Sequence, residues 1–299
     1  MNNYVGSERG QYRPQTSARY GSQPPRMQKT PQKLSPQEQM QAKMKSQAVL
    51  RTALKNPLVV IIGVVYALLS VSMIVDIIRY LFIGSVLGGS VGVILLGILV
   101  SMIFVATPIV KSAAFFTLNS NAKGNPRRPM KENGSAILVV SAVMQTFCWL
   151  VAIAVFSVVL FLLVMQLSNM GFVDFLVVVA MVCFPIFWAV YSICFIGFAE
   201  TIRKNTVTPN LTSKFTVITA VMHIVFAVGA AVVYALYNAS LLIKYTEVSV
   251  LDMSLLNSYS IPLMILVNIL IAVYCFNFRS TINSAIQAEI PKNTRNRNY

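Results

Sequence analysis

The sequence is short of charge and shorter still of acid–base chemistry. Charged residues make up 11% of its 299 positions, against about 25% in a soluble globular domain. Water is therefore not the solvent expected around most of the chain. There is one histidine, His223, and there are only nine acidic residues. A single histidine excludes an HExxH zinc motif or a histidine pair for haem, and no Walker loop is present. The four cysteines, Cys148, Cys183, Cys194 and Cys275, each lie inside an apolar run, and none forms a CxxC pair. That placement argues against a metal site or a disulfide framework and for small apolar packing residues. No cofactor is expected, and the chain is not expected to be an enzyme. Residues 1–34 contain no apolar core of the kind a secretory signal needs, so no cleaved signal peptide is expected.

What the chain has instead is long uncharged runs. Hydrophobic residues reach 56%, with a mean hydropathy of +0.69. Residues 215–243 run for 29 positions without a formal charge, more than the roughly 20 apolar residues that cross a bilayer core. Comparable runs lie near 57–81, 86–110, 136–166, 172–199 and 255–278. In lipid the backbone must satisfy its own hydrogen bonds, so each run is predicted to be a helix. The predicted fold is all-α, a polytopic membrane protein with six transmembrane helices across 57–278.

The flanks are polar. Residues 1–34, rich in Gln, Pro, Arg and Ser, read as a disordered basic cytoplasmic tail. Ser35-Pro36-Gln37-Glu38 has the spelling of a capping box with proline at the first helical position. It predicts an amphipathic helix over 35–56, with Met40, Met44, Ala48, Leu50 and Leu54 on its apolar side. That helix either lies on anionic headgroups or simply leads into the first span. Residues 279–299 form a short basic cytoplasmic tail.

The net charge is +15, but its location favours lipid over nucleic acid. With the N-terminus cytoplasmic, 22 of the 24 Lys and Arg residues fall on the inner side, Lys111 among them as part of an inner loop over 111–135; only Arg79 and Lys244 fall outside. Both termini are therefore predicted inside, in a plasma membrane of the bacterial cytoplasmic type. The expected partners are the bilayer and its anionic cytoplasmic headgroups, with no nucleic acid.

The chain resembles itself. Val217-Ile-Thr-Ala-Val-Met-His223 is similar to Val139-Val-Ser-Ala-Val-Met-Gln145, 78 residues earlier, and more faintly to Val60-Ile-Ile-Gly-Val-Val-Tyr66. Three similar helix hairpins of about 80 residues would explain this. They would bring Tyr66, Gln145 and His223 to one depth around a pseudo-threefold axis. His223 lies nine residues past Lys214, roughly 14 Å into the membrane at a 1.5 Å rise. An ionisable residue at that depth is a functional candidate; a neutral histidine bonded to a neighbouring helix is the plainer alternative. Asp76, Asp174 and Asp252 form a candidate outer acidic vestibule, although Asp76 and Arg79 also have the spacing of a local pair. Small residues four apart mark candidate packing ridges. They are Ala227, Ala231, Ala235 and Ala239, and Gly84, Gly88 and Gly92, the last three alternatively an outer turn. Pro108, Pro185 and Pro262 fall within the even-numbered spans, where each can kink its helix.

Two functions remain open at this level. One is a small transport or permeation unit, with a path among the odd-numbered spans. The other is a non-catalytic membrane subunit or scaffold that docks a membrane-protein partner, or a second copy, on its small-residue ridges.

Overall fold

The computed structural model describes residues 35–86, 91–164, 172–243 and 259–295. These form seven α-helices, and no strand occurs among them. In chain order they are α1 (Pro36–Leu54), α2 (Pro57–Val86), α3 (Val91–Lys123), α4 (Asn133–Val164), α5 (Phe172–Val207), α6 (Thr216–Ile243) and α7 (Ser260–Arg295). Five of them contain stretches long and apolar enough to cross a membrane: Pro57–Arg79, Ser101–Lys123, Asn133–Val151, Ile186–Val207 and Ser260–Ala288. The chain is thus a helical, membrane-embedded protein. The predicted 1–34 tail and Asp252 lie outside the described residues.

Helix boundaries follow local chemistry. Asn56 separates α1 from α2: its side-chain oxygen accepts from the Leu58 amide at 3.0 Å, and Pro57 occupies the first helical position, where no donor is lost. Several helices outrun the apolar runs that predict them. α7 has 36 residues, about 54 Å of helix, so it projects well beyond a hydrocarbon core of about 30 Å. Part of the predicted 279–299 tail is therefore helix.

The largest departure from expectation is in α3. The sequence ends the second span near Val110 and puts Lys111 in an inner loop. The helix instead continues unbroken through Pro108 and Lys111 to Lys123. Lys111 is buried, with 3% of its surface exposed. The charge does not end the span because neighbouring helices supply it with partners, described below.

The helices close a circuit: α2 packs on α3, α3 on α4, α4 on α5, α5 on α6, α6 on α7, and α7 back on α2. Glycines set the closest approaches. A Cβ at Gly134, in the first turn of α4, would lie 2.7 Å from the Leu118 amide nitrogen of α3. Gly63 of α2 faces the Phe116 ring at 3.2 Å, and its carbonyl accepts from the Ser112 hydroxyl at 2.8 Å. The predicted ridges fare differently. Ala227 is buried, Ala231 half-buried and Ala235 exposed; nothing is described of the Ala239 side chain. Gly84 is on α2 and Gly92 on α3, with Gly88 outside the described residues. The three glycines therefore do not share one helix.

α1 crosses the end of this circuit, against α3, α5 and α7. Its docked side is Gln47, Leu50, Arg51 and Leu54. Met40 and Ala48, which belong to the predicted apolar side, are exposed. Arg51 donates to the carbonyls of Asn121, Ala122 and Gly124 at 3.4, 3.2 and 2.8 Å, and to that of Arg128 at 2.8 Å. These include the orphan acceptors at the C-terminus of α3, where a cation also suits the helix dipole. Gln47 donates to Thr206 O at 2.7 Å and accepts from the Met130 amide at 2.9 Å. Asn119 of α3 returns the favour, donating to Leu54 O at 3.0 Å.

Two outcomes test this packing. Gly134→Ala is expected to lower stability by roughly 1–3 kcal/mol, the usual cost of overpacking, whereas Gly229→Ala, with nothing within 4 Å of its Cβ, is expected to be neutral or stabilising; thermal unfolding in detergent compares them. Arg51→Ala is expected to cost roughly 1.5–3 kcal/mol and to release α1, read as faster tryptic cleavage at Lys43 and Lys45.

Candidate functional site

Besides hydroxyls bonded to backbone carbonyls, such as those of Ser70, Ser112 and Thr219, the circuit buries two adjoining clusters of polar side chains. The first is built around Lys111. Its ammonium donates to Gln145 Oε1 of α4 and to the Tyr66 hydroxyl of α2 at 3.5 Å. It also sits 4.2 Å from the centre of the Phe195 ring and 5.3 Å from that of Tyr66, within cation–π range.

The second cluster is built around Asn268 of α7. Asn268 Nδ2 donates to Met264 O at 2.6 Å, which orients the amide and leaves Oδ1 as the acceptor facing α5 and α6. The Tyr191 hydroxyl donates to that oxygen at 2.7 Å. His223 Nδ1 lies 2.6 Å from it and 3.0 Å from the Tyr191 oxygen. A ring nitrogen that close to a carbonyl oxygen must carry the proton, so the assigned tautomer is Nδ1–H. Nε2 is then an acceptor; it is buried, with no hydrogen-bond partner among the described residues. The Phe195 ring links the clusters: Lys111 stands over it, and the His223 ring meets it edge-on at 5.6 Å.

A cavity of about 100 Å³ adjoins both clusters, bordered by Tyr66, Lys111, Gln145, Tyr191 and Asn268. A single water needs about 10–15 Å³ on this scale, so there is room for several. Thr107, whose hydroxyl lies 3.6 Å from Cys148 Sγ, also borders it, and the rest of its wall is apolar and aromatic. Trp149 and Trp188, the two tryptophans of the chain, stack there at 3.9 Å. Pro108, Cys148, Leu69, Met73, Phe104 and Met264 continue the lining away from α1. Toward α1 the bundle is filled by Phe115, Phe195, Phe198, Tyr274 and Phe278, all buried to 1% exposure or less.

Of the residues singled out by sequence, Tyr66 and Gln145 meet through Lys111, and His223 lies in the adjoining cluster. All three are buried. The candidate vestibule is not assembled among the described residues. Asp76 accepts from the Ser260 hydroxyl and lies 3.9 Å from Arg79; Asp174 is on α5 with its side chain undescribed. Pro262 is in the first turn of α7, where it breaks no helix bond.

Lys111, Tyr191 and Asn268 were not singled out by sequence. A signal existed: Pro108, Pro185 and Pro262 recur every 77 residues, and Tyr191 and Asn268 each stand six residues after their proline. Gly88-Gly89-Ser90-Val91-Gly92 also spells G-x-S-x-G. That motif needs a strand–turn–helix setting, whereas this stretch joins α2 to α3. Among the described residues no group of three or more His, Cys, Asp or Glu is placed to hold a metal. No family model, curated protein or solved structure matches the chain.

Asn268 is expected to matter more than Tyr191 for stability. Asn268→Ala removes the acceptor shared by His223 and Tyr191, leaving the histidine Nδ1–H only the Tyr191 oxygen, and should cost roughly 1–2 kcal/mol, near the upper end for polar contacts between membrane helices. Tyr191→Phe leaves the histidine bond in place and should cost less than about 1 kcal/mol. Unfolding followed by tryptophan fluorescence ranks the two; equal losses would contradict the assigned hydrogen-bond pattern.

Proposed function

We propose that the protein is a small six-span transport or permeation unit, with both termini cytoplasmic, in a plasma membrane of the bacterial type. The observation that carries this reading is Lys111. It is a lysine buried beside a cavity with room for several waters inside a helical membrane bundle, and no ion pair reaches it among the described residues. Ionisable groups are costly at that depth and mark substrate or ion pathways. The path would enter on the side away from α1, past Met73 and Phe104, and meet the aromatic plug and α1 on the inner side. The plug must yield for passage, as in alternating access.

α6 supports a sixth span: it has 28 residues and no formal charge, about 42 Å of helix. The inner loops support three related hairpins. Asn121 donates to Lys131 O at 3.3 Å, and Asn205 donates to Thr212 O at 2.8 Å. Each thus clamps the loop that follows its even-numbered span. A shallow recess bordered by Lys214 and Arg279 suits an anionic headgroup on the inner surface.

A second reading, a non-catalytic membrane subunit or scaffold, is favoured by one feature. On α6, Gly229 has open space around it among the exposed Val225, Val228 and Val232, a single notch that another helix could approach closely. Purification in mild detergent with a stoichiometric membrane-protein partner would favour it.

The transport reading is tested through Cys148, a free cysteine on the cavity wall. A full-length variant with Cys183, Cys194 and Cys275 replaced by serine or alanine is treated in sealed vesicles with a membrane-impermeant thiol reagent. Labelling of Cys148 is expected, slowed at least severalfold by a bulkier reagent. No labelling from either side of the membrane removes the aqueous path.

A further inference from the structure

We infer that the cavity at Lys111 binds a compact, singly charged anion. The inference uses the same cavity as the transport reading and adds the chemistry of what enters it. Lys111 keeps only 3% of its surface exposed, and its partners are all neutral: an amide oxygen, a phenol and two aromatic faces. Such contacts hold an ammonium in place but do not balance its charge.

The described carboxylates nearest in sequence to the bundle core are engaged elsewhere. Asp76 is ten residues beyond Tyr66, about 15 Å along α2, with Arg79 and Ser260 as partners. Glu200 pairs with Arg203 at 3.4 Å. An ammonium left unbalanced in the membrane interior is costly; the charged form therefore calls for a counter-anion that arrives with the proton, and such an anion is the ligand that the site's electrostatics select.

The hydrogen-bonding capacity around the cavity points the same way. The Tyr66 oxygen accepts from Lys111, which leaves the phenolic proton available as a donor. The Gln145 oxygen is likewise taken by Lys111 and its side chain also bonds Tyr191, so one amide hydrogen remains to give. The Asn268 oxygen is already shared between Tyr191 and His223. The side chains bordering the cavity therefore keep donors at Tyr66, Gln145 and Thr107, and their remaining acceptors are hydroxyl oxygens rather than carboxylates. The stacked Trp149 and Trp188 supply a polarisable apolar wall, which favours a weakly hydrated anion over a strongly hydrated one. The volume, about 100 Å³, suits a single ion or a terminal carboxylate and excludes a bulky polyanion. The same chemistry reaches the site as a free inorganic ion or as the carboxylate at the end of an apolar chain.

Trp149 and Trp188 are the only tryptophans, and both line the cavity, so native fluorescence reports on it directly. The full chain, purified in a non-ionic detergent, is titrated with sodium iodide at ionic strength held constant with sodium gluconate. A saturable quenching component is expected, weakened at least tenfold in Lys111→Met. Gln145→Glu is the second variant. It sets a carboxylate against Lys111 with little change in volume, and it is expected to abolish the saturable component even if Lys111→Met proves unstable. Displacement of iodide by chloride identifies a free ion as the ligand; displacement by decanoate alone identifies a chain-borne carboxylate. Quenching that is linear, equal in wild type and Gln145→Glu, or displaced by neither competitor overturns the inference. The two readings fail separately. A saturable, Lys111-dependent signal with an unreactive Cys148 leaves the anion site and removes the path from water; a reactive Cys148 without a saturable signal does the reverse.

Discussion

A lysine held inside a helical membrane bundle constrains everything around it. Lipid offers no hydrogen bonds and little dielectric screening, so the protein must supply both. Gln145, Tyr66 and Phe195 come from α4, α2 and α5, and Lys111 itself from α3. Four helices are therefore tied to one side chain. The close approaches at Gly63 and Gly134 serve the same end, because they bring α2 and α4 against α3, near enough for short polar side chains to reach across.

The second cluster extends this logic around the circuit. Asn268 joins α7 to α5 through Tyr191 and to α6 through His223. Packing between membrane helices gains nothing from excluding water, so specificity must come from small residues and polar contacts. Between them the two clusters touch all six helices of the circuit. The aromatic layer on the α1 side does the complementary work: it fills space, excludes water, and leaves the cavity on one side of it only. α1 then secures the end of the bundle that it crosses, with Arg51 and Gln47 occupying backbone acceptors that the ends of α3 and α5 leave open. A bundle built this way is filled at the end that α1 crosses and keeps a polar interior beyond it.

Composition and hydropathy by themselves determine that this chain lives in lipid and that its spans are helices, because long uncharged backbone has no other stable form there. They also make Tyr66, Gln145 and His223 visible, because a polar residue in an apolar run stands out and each ends a seven-residue stretch that resembles the others, the Tyr66 copy faintly. The Ser35–Pro36 start of α1 and the Asn56–Pro57 break were legible for a similar reason: caps are local chemistry. What tertiary structure alone decides is which charges belong to water. Lys111 follows an apolar run and reads as its end, since a lone cation in sequence carries no sign of its partners. Those partners lie 34 to 84 positions away and meet it only when α2, α4 and α5 close around α3. The docked face of α1 is hidden in the same way. Arg51 and Gln47 look like solvent-facing residues until the carbonyls at the ends of α3 and α5 arrive to receive them, and no periodicity within nineteen residues can announce acceptors supplied by another part of the chain.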